Sequence, residues 1–122
     1  MIRSGTLFAI VALAGCGKAT HTDDEIARGK QALVAALDSW KNKEPTETLR
    51  SRPESIEFSE DLRKANELIE YSILATETAD PKVVSFRTKL SIKDKKGKTS
   101  EREFLYSVDF RTPLRVFRDP YN

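Results

Sequence analysis

Residues 83–93, VVSFRTKLSIK, alternate apolar and polar side chains one position at a time. Val84, Phe86, Thr88, Leu90 and Ile92 fall to one side, and Ser85, Arg87, Lys89, Ser91 and Lys93 to the other. Successive side chains of an extended chain point to opposite faces, so an alternation of this length predicts a strand with one face buried. Asp94-Lys95-Lys96-Gly97-Lys98 follows, with Gly97 able to supply a positive φ, and residues 103–110 then resume the pattern with Phe104, Tyr106, Val108 and Phe110 on one side. The unit is a β-hairpin. Its apolar face needs a cover, and the rest of the chain must supply it.

Working outward, residues 114–118 form a last short apolar run after Thr112-Pro113, where proline suggests a bend, a bulge or an edge position. On the other side, residues 68–76 alternate with Ile69, Tyr71, Ile73 and Ala75 on one face, and Asp80-Pro81 closes that strand. Residues 46–52 suit a single helical turn, which Pro53 breaks before Ile56-Glu57-Phe58. The highly charged residues 59–67 read equally as a connecting turn or a short helix.

The cover lies further upstream. Thr22-Asp23-Asp24-Glu25 has the form of a capping box, in which the threonine hydroxyl accepts from the backbone and the glutamate reaches back. Ile26, Leu33, Leu37 and Trp40 then recur at spacings of seven, four and three, with Ala32 and Ala36 in the same stripe. Lys30, Asp38, Lys41 and Lys43 lie elsewhere, and Pro45 marks the stop. Gly29 weakens the first turns or permits another element to approach closely. An aromatic on such a stripe is core material first, so Trp40 is assigned there and not to ligand stacking. The reading is α+β: an amino-terminal helix packed on a curved antiparallel sheet of about four strands, in a single domain of residues 23–122.

The whole chain has 122 residues, of which 39% are hydrophobic and 33% charged, with a formal net charge of +2. That length suits one core. Without residues 1–15, which contain only Arg3 among the charged types, 20 basic residues face 19 acidic ones. Such a balance gives no electrostatic footprint for nucleic acid. There is 1 cysteine, so an internal disulfide framework is excluded and packing must hold the domain together.

That cysteine has another use. One basic residue, Arg3, precedes the apolar run Leu7-Phe8-Ala9-Ile10-Val11-Ala12-Leu13-Ala14, which is the layout of a secretory signal peptide. The run is about half of the ~20 residues that a membrane-spanning helix needs. It ends in Leu13-Ala14-Gly15-Cys16, which resembles the lipobox of bacterial lipoproteins. The resemblance implies diacylglyceryl transfer to the Cys16 thiol, cleavage between Gly15 and Cys16, and a cell-envelope protein held at a membrane by acyl chains. Residues 1–15 are then the signal and residues 16–22 a lipidated tether. Ala12-Leu13-Ala14 also fits the small-x-small site of an ordinary signal peptidase, which would release a soluble protein. His21, the lone histidine, falls in the tether and reads as solvated, because a metal site needs several convergent ligands. No cofactor or metal is implied.

A helix followed by a curved meander is similar to the cystatin-like and nuclear transport factor two-like architectures over roughly residues 23–119. In the latter, some relatives bind small molecules or perform acid–base chemistry in a cone beneath the sheet. That resemblance makes a small-molecule-binding or acid–base enzyme one reading. The inward positions supply only the hydroxyls of Tyr71, Thr88 and Tyr106, with Glu103 and Asp109 on the opposite face, so no catalytic residue is assigned. The other reading is a non-catalytic binding or interaction domain. Its surface is the polar sheet face carrying Arg87, Lys89, Glu103, Leu105, Ser107 and Arg111, with Lys93, Lys95, Lys96 and Lys98 around the hairpin. These lysines suit an anionic surface, whether lipid headgroups, an envelope protein or a cell-wall polymer; they equally suit a solvated turn that blunts a sheet edge.

Overall fold

A computed structural model describes residues 20–120 of the chain. The elements are α1 (Asp23–Lys41), α2 (Thr46–Arg50), β1 (Ile56–Ser59), a 3₁₀ turn (Asp61–Lys64), β2 (Asn66–Glu77), β3 (Val83–Asp94), β4 (Thr99–Asp109) and β5 (Leu114–Arg118). The fold is α+β: α1 lies across one face of a five-stranded sheet of order β1-β5-β4-β3-β2. Among the described residues no helix is long and apolar enough to cross a membrane.

The capping box at Thr22 forms in full, since the threonine side chain accepts from Glu25 N and the Glu25 carboxylate accepts from Thr22 N. The stripe it starts is buried as its spacing predicts, with Leu33, Ala36 and Leu37 wholly enclosed and Ala32 and Trp40 nearly so. Gly29 proves to be a close-approach position. A Cβ there would stand 3.3 Å from Phe110 Cζ and 3.5 Å from the Phe86 ring, so the missing side chain lets α1 settle onto the sheet.

β3 and β4 pair in register from Val83↔Asp109 to Lys93↔Thr99. Their inward residues Val84, Phe86, Thr88, Leu90, Tyr106 and Val108 are fully buried, and the buried Thr88 hydroxyl donates to Phe86 O at 3.1 Å. Gly97 has φ +86° at the turn, as the hairpin requires. The Thr112-Pro113 peptide is cis, and β5 begins one residue later.

The sheet departs from the sequence reading in two ways. It has five strands and is mixed, because Ile56–Ser59 forms a fifth strand parallel to β5, with Ile56↔Leu114 and Phe58↔Val116 in register. Four residues between a proline and a charged segment carry too short an alternation to be read, and their partner lies almost 60 positions along the chain.

The second departure is in β2. Continuous alternation would place Ile69, Tyr71, Ile73 and Ala75 together, but register shifts fall between Leu68 and Glu70 and between Ile73 and Ala75. Each inserts an unpaired residue and reverses the phase of the strand beyond it. The inward set is therefore Leu68, Tyr71, Ile73 and Thr76, opposite Ile92, Leu90, Thr88 and Phe86. The bulged Ile69 and Leu74 turn out to solvent at 41% and 51% exposure. Bulges on an edge strand bend it and spoil the template it offers to other chains, which accounts for two large exposed apolar residues in a strand with no outer neighbour among the described residues.

Candidate functional site

Cys16 and Gly15, the lipidation and cleavage residues of the sequence reading, lie outside the described residues. His21, by contrast, is described, and its placement corrects the solvated-tether assignment. Its side chain is only 3% exposed. The Nε2–H donates to Asp80 O at 2.8 Å, the ring lies 6.3 Å from that of Phe110, and Nδ1 stands 3.6 Å from Glu25 Oε1. The residue just before the helix cap packs against the β2–β3 turn, a neighbour the local sequence does not reveal. His21 and Thr22 thus belong to the folded domain. Among the described residues, no three His, Cys, Asp or Glu side chains converge in a way that would hold a metal ion.

Of the polar sheet face, much is self-satisfied. Arg87 reaches Glu77 at 3.3 Å and Glu103 at 3.9 Å, Lys89 reaches Glu101 at 3.6 Å, and Arg111 reaches Asp109 at 2.9 Å. Leu105 and Ser107 are buried in place of being displayed, and the Ser107 and Ser85 hydroxyls bond one another at 2.7 Å. In the middle of a sheet, long neighbouring side chains close over short ones.

The hairpin lysines are different. Asp94 organises their turn: its Oδ1 accepts from Lys96 N and Lys98 N, each at 2.9 Å, while Asp94 N donates to Lys98 O at 2.9 Å and Gly97 N to Asp94 O at 3.0 Å. One oxygen of the Asp94 carboxylate is thus engaged by backbone donors. Lys95, Lys96 and Lys98 are exposed and Lys93 half-buried, and none of the four makes an ion pair among the described residues.

The fold adds to them. The 3₁₀ turn brings Arg63 and Lys64 against Lys93 and Lys95, around an open concavity of about 250 Å³ whose remaining charged walls are Glu67 and Asp94. Glu67 is engaged by Lys43 at 3.4 Å. Arg63 is held from behind: its guanidinium lies 5.9 Å from the Phe58 ring, Nη2 donates to Glu44 O and, at 3.4 Å, to Ser39 Oγ, and the enclosed Nη1 has no partner. Burial pushes its pKa below the usual arginine value, and Glu44 opposes that shift. Lys64 has only a marginal contact with Asp61, at 4.0 Å. Sequence reasoning assigned Lys93, Lys95, Lys96 and Lys98 but missed Arg63 and Lys64. The charge density of residues 59–67 was visible, but the face those charges join was not.

A second polar cluster, also missed, is structural in character. The Glu60 carboxylate is fully enclosed and accepts from the Tyr106 hydroxyl, from Arg118 Nε at 3.2 Å and from Leu62 N at 3.0 Å. Burial, followed by the Glu60 charge, raises the Tyr106 pKa far above its ordinary value. Arg118 also lies 4.8 Å from the Phe104 ring. Here is the inward carboxylate that the strands themselves lack, delivered from the loop after β1. Its oxygens accept from three protein donors, so it fastens β1 and the 3₁₀ turn to β4 and β5. Tyr71 likewise donates to Asp38 Oδ1 at 2.7 Å, and Trp40 Nε1 to Asn66 O at 3.0 Å, so both aromatic residues hold α1 to β2. Comparison of the chain with protein-family models, with curated proteins and with solved structures returns no match.

Proposed function

We propose that this chain is the precursor of a small membrane-anchored lipoprotein, acylated on Cys16 after cleavage behind Gly15, whose folded domain is a non-catalytic binding module for an anionic partner in the cell envelope. The observation that carries the binding reading is the uncompensated hairpin. Lysines 93, 95, 96 and 98 stand without carboxylate partners among the described residues, whereas Arg87, Lys89 and Arg111 of the neighbouring sheet face are paired. The lipobox Leu13-Ala14-Gly15-Cys16 supports the anchor, since two or more acyl chains hold a protein that one chain releases. Among the described residues, one long helix over a bulged sheet is in keeping with a reduced cystatin-like or nuclear transport factor two-like architecture. A binding role is favoured over acid–base chemistry because the inward hydroxyls and the Glu60 carboxylate are spent on each other and on backbone and side-chain partners.

Mass spectrometry of the mature amino terminus tests the anchor. A diacylglyceryl-modified Cys16 is expected, and Cys16→Ser should accumulate unprocessed precursor, because a hydroxyl does not replace the thiolate as lipid acceptor. An unmodified terminus sinks this part of the proposal. For the domain, the acylated chain in neutral detergent should bind anionic cell-wall fragments, and replacing Lys93, Lys95, Lys96 and Lys98 by glutamine should weaken that binding. Unchanged, salt-insensitive binding would return the hairpin to a solvated turn.

A further inference from the structure

The hairpin and the 3₁₀ turn are about 30 positions apart in the chain, yet they share one concavity. Four cations, Arg63, Lys64, Lys93 and Lys95, meet there against two carboxylates that are otherwise engaged, Glu67 by Lys43 and Asp94 by turn amides. Arg63 differs from a free surface arginine because Phe58, Ser39 and the Glu44 carbonyl hold its guanidinium in place. Its Nη2 is spent on those partners and its Nη1 is enclosed, so Arg63 contributes a fixed positive charge at the wall, and the flexible ammonium groups of Lys64, Lys93 and Lys95 supply the donors that a compact oxyanion selects. We infer that Arg63, Lys64, Lys93 and Lys95 form a discrete binding site for a phosphate-type oxyanion. This deepens the proposed binding role and rests on it.

The placement of the site indicates which source of phosphate it meets. His21 is pinned to Asp80 at the start of β3, whereas Lys93 lies at the end of that strand. β3 has 12 residues, which at about 3.3 Å per residue puts the site roughly 36 Å from the tether's attachment. The five residues from Cys16 to His21 span at most about 17 Å when fully extended. The site therefore lies at the end of the domain opposite the tether's attachment, farther from it than the tether is long, which favours an envelope polymer over the anchoring headgroups as its source of phosphate.

The full chain as isolated, whatever the state of its Cys16, is labelled with ¹⁵N in neutral zwitterionic micelles, titrated with sodium tripolyphosphate and, separately, mixed with phosphatidylglycerol vesicles. Tripolyphosphate should bind in a salt-sensitive manner and shift the amides of residues 63–67 and 93–95. Lys64→Gln with Lys95→Gln, both exposed positions, should weaken it by about tenfold. Lys30→Gln with Lys82→Gln removes the same charge elsewhere and should leave the affinity unchanged. Equal loss in both double variants would overturn the site in favour of bulk charge, and so would shifts scattered over the sheet. Absence of tripolyphosphate binding overturns it outright, and shifts of those same amides with the lipid vesicles alone replace it with a headgroup layer. None of these results depends on the state of Cys16, so failure of the anchor and failure of the site are read separately.

Discussion

Tyr106→Phe isolates one enclosed polar contact of the domain. Tyr106 is fully buried and its hydroxyl donates to a Glu60 carboxylate with no exposed side-chain surface. A hydrogen bond to a charged group contributes about 1.5–3 kcal/mol. Glu60 keeps its bonds from Arg118 and Leu62 N in the variant, so the cost should lie at the lower end, about 1.5–2 kcal/mol. Glu60→Ala should cost more, about 3 kcal/mol, because it orphans the Tyr106 hydroxyl and removes the acceptor that caps the 3₁₀ turn. Arg118 adds little to that figure, since its side chain is 30% exposed and regains water. The two effects share one bond, so the double variant should fall short of their sum by about 1–2 kcal/mol. Urea denaturation followed by fluorescence is direct, because the chain has 1 tryptophan and Trp40 is 3% exposed when folded. Midpoint losses of about 1 M for Tyr106→Phe are expected at ordinary slopes. An additive cycle, or a Tyr106→Phe midpoint within error of the parent, would refute the enclosed contact.

Phe86→Ala and Trp40→Ala should each destabilise by about 3–5 kcal/mol in the same denaturation assay, since both side chains sit in the interface between α1 and the sheet; unchanged midpoints would mean that α1 covers the other face. Alkaline pH should also destabilise the fold. The Tyr106 pKa is raised in the folded state, so above about pH 10 the unfolded chain releases a proton that the native state retains, and stability falls by up to ~1.4 kcal/mol per pH unit. Tyr106→Phe should lessen that fall in melts between pH 8 and 11, leaving the share of Tyr71, whose pKa burial and Asp38 also raise. Gly29→Leu should cost about 1–3 kcal/mol by driving a side chain into the Phe110 and Phe86 rings, whereas exposed Leu74→Lys should leave the thermal midpoint almost unmoved.

The elements that local physics governs were legible in order along the chain. The Thr22 capping box starts α1, the Ile26 to Trp40 stripe names its buried face, and the alternations around Phe86 and Tyr106 place β3 and β4 with their inward residues. Each depends on neighbours within a few positions, where spacing translates directly into geometry. Tertiary structure decided the rest. β1 exists because β5 pairs with it, and the phase of β2 is reset by two bulges that alternation alone does not announce. His21 is buried because the Asp80 turn and Phe110 come to meet it, and Glu60 becomes an inward carboxylate only when Tyr106 and Arg118 surround it. The candidate site divides in the same way: the unpaired lysines of the hairpin were readable from a local charge run, while Arg63 and Lys64 join them only once chain segments remote in sequence pack side by side.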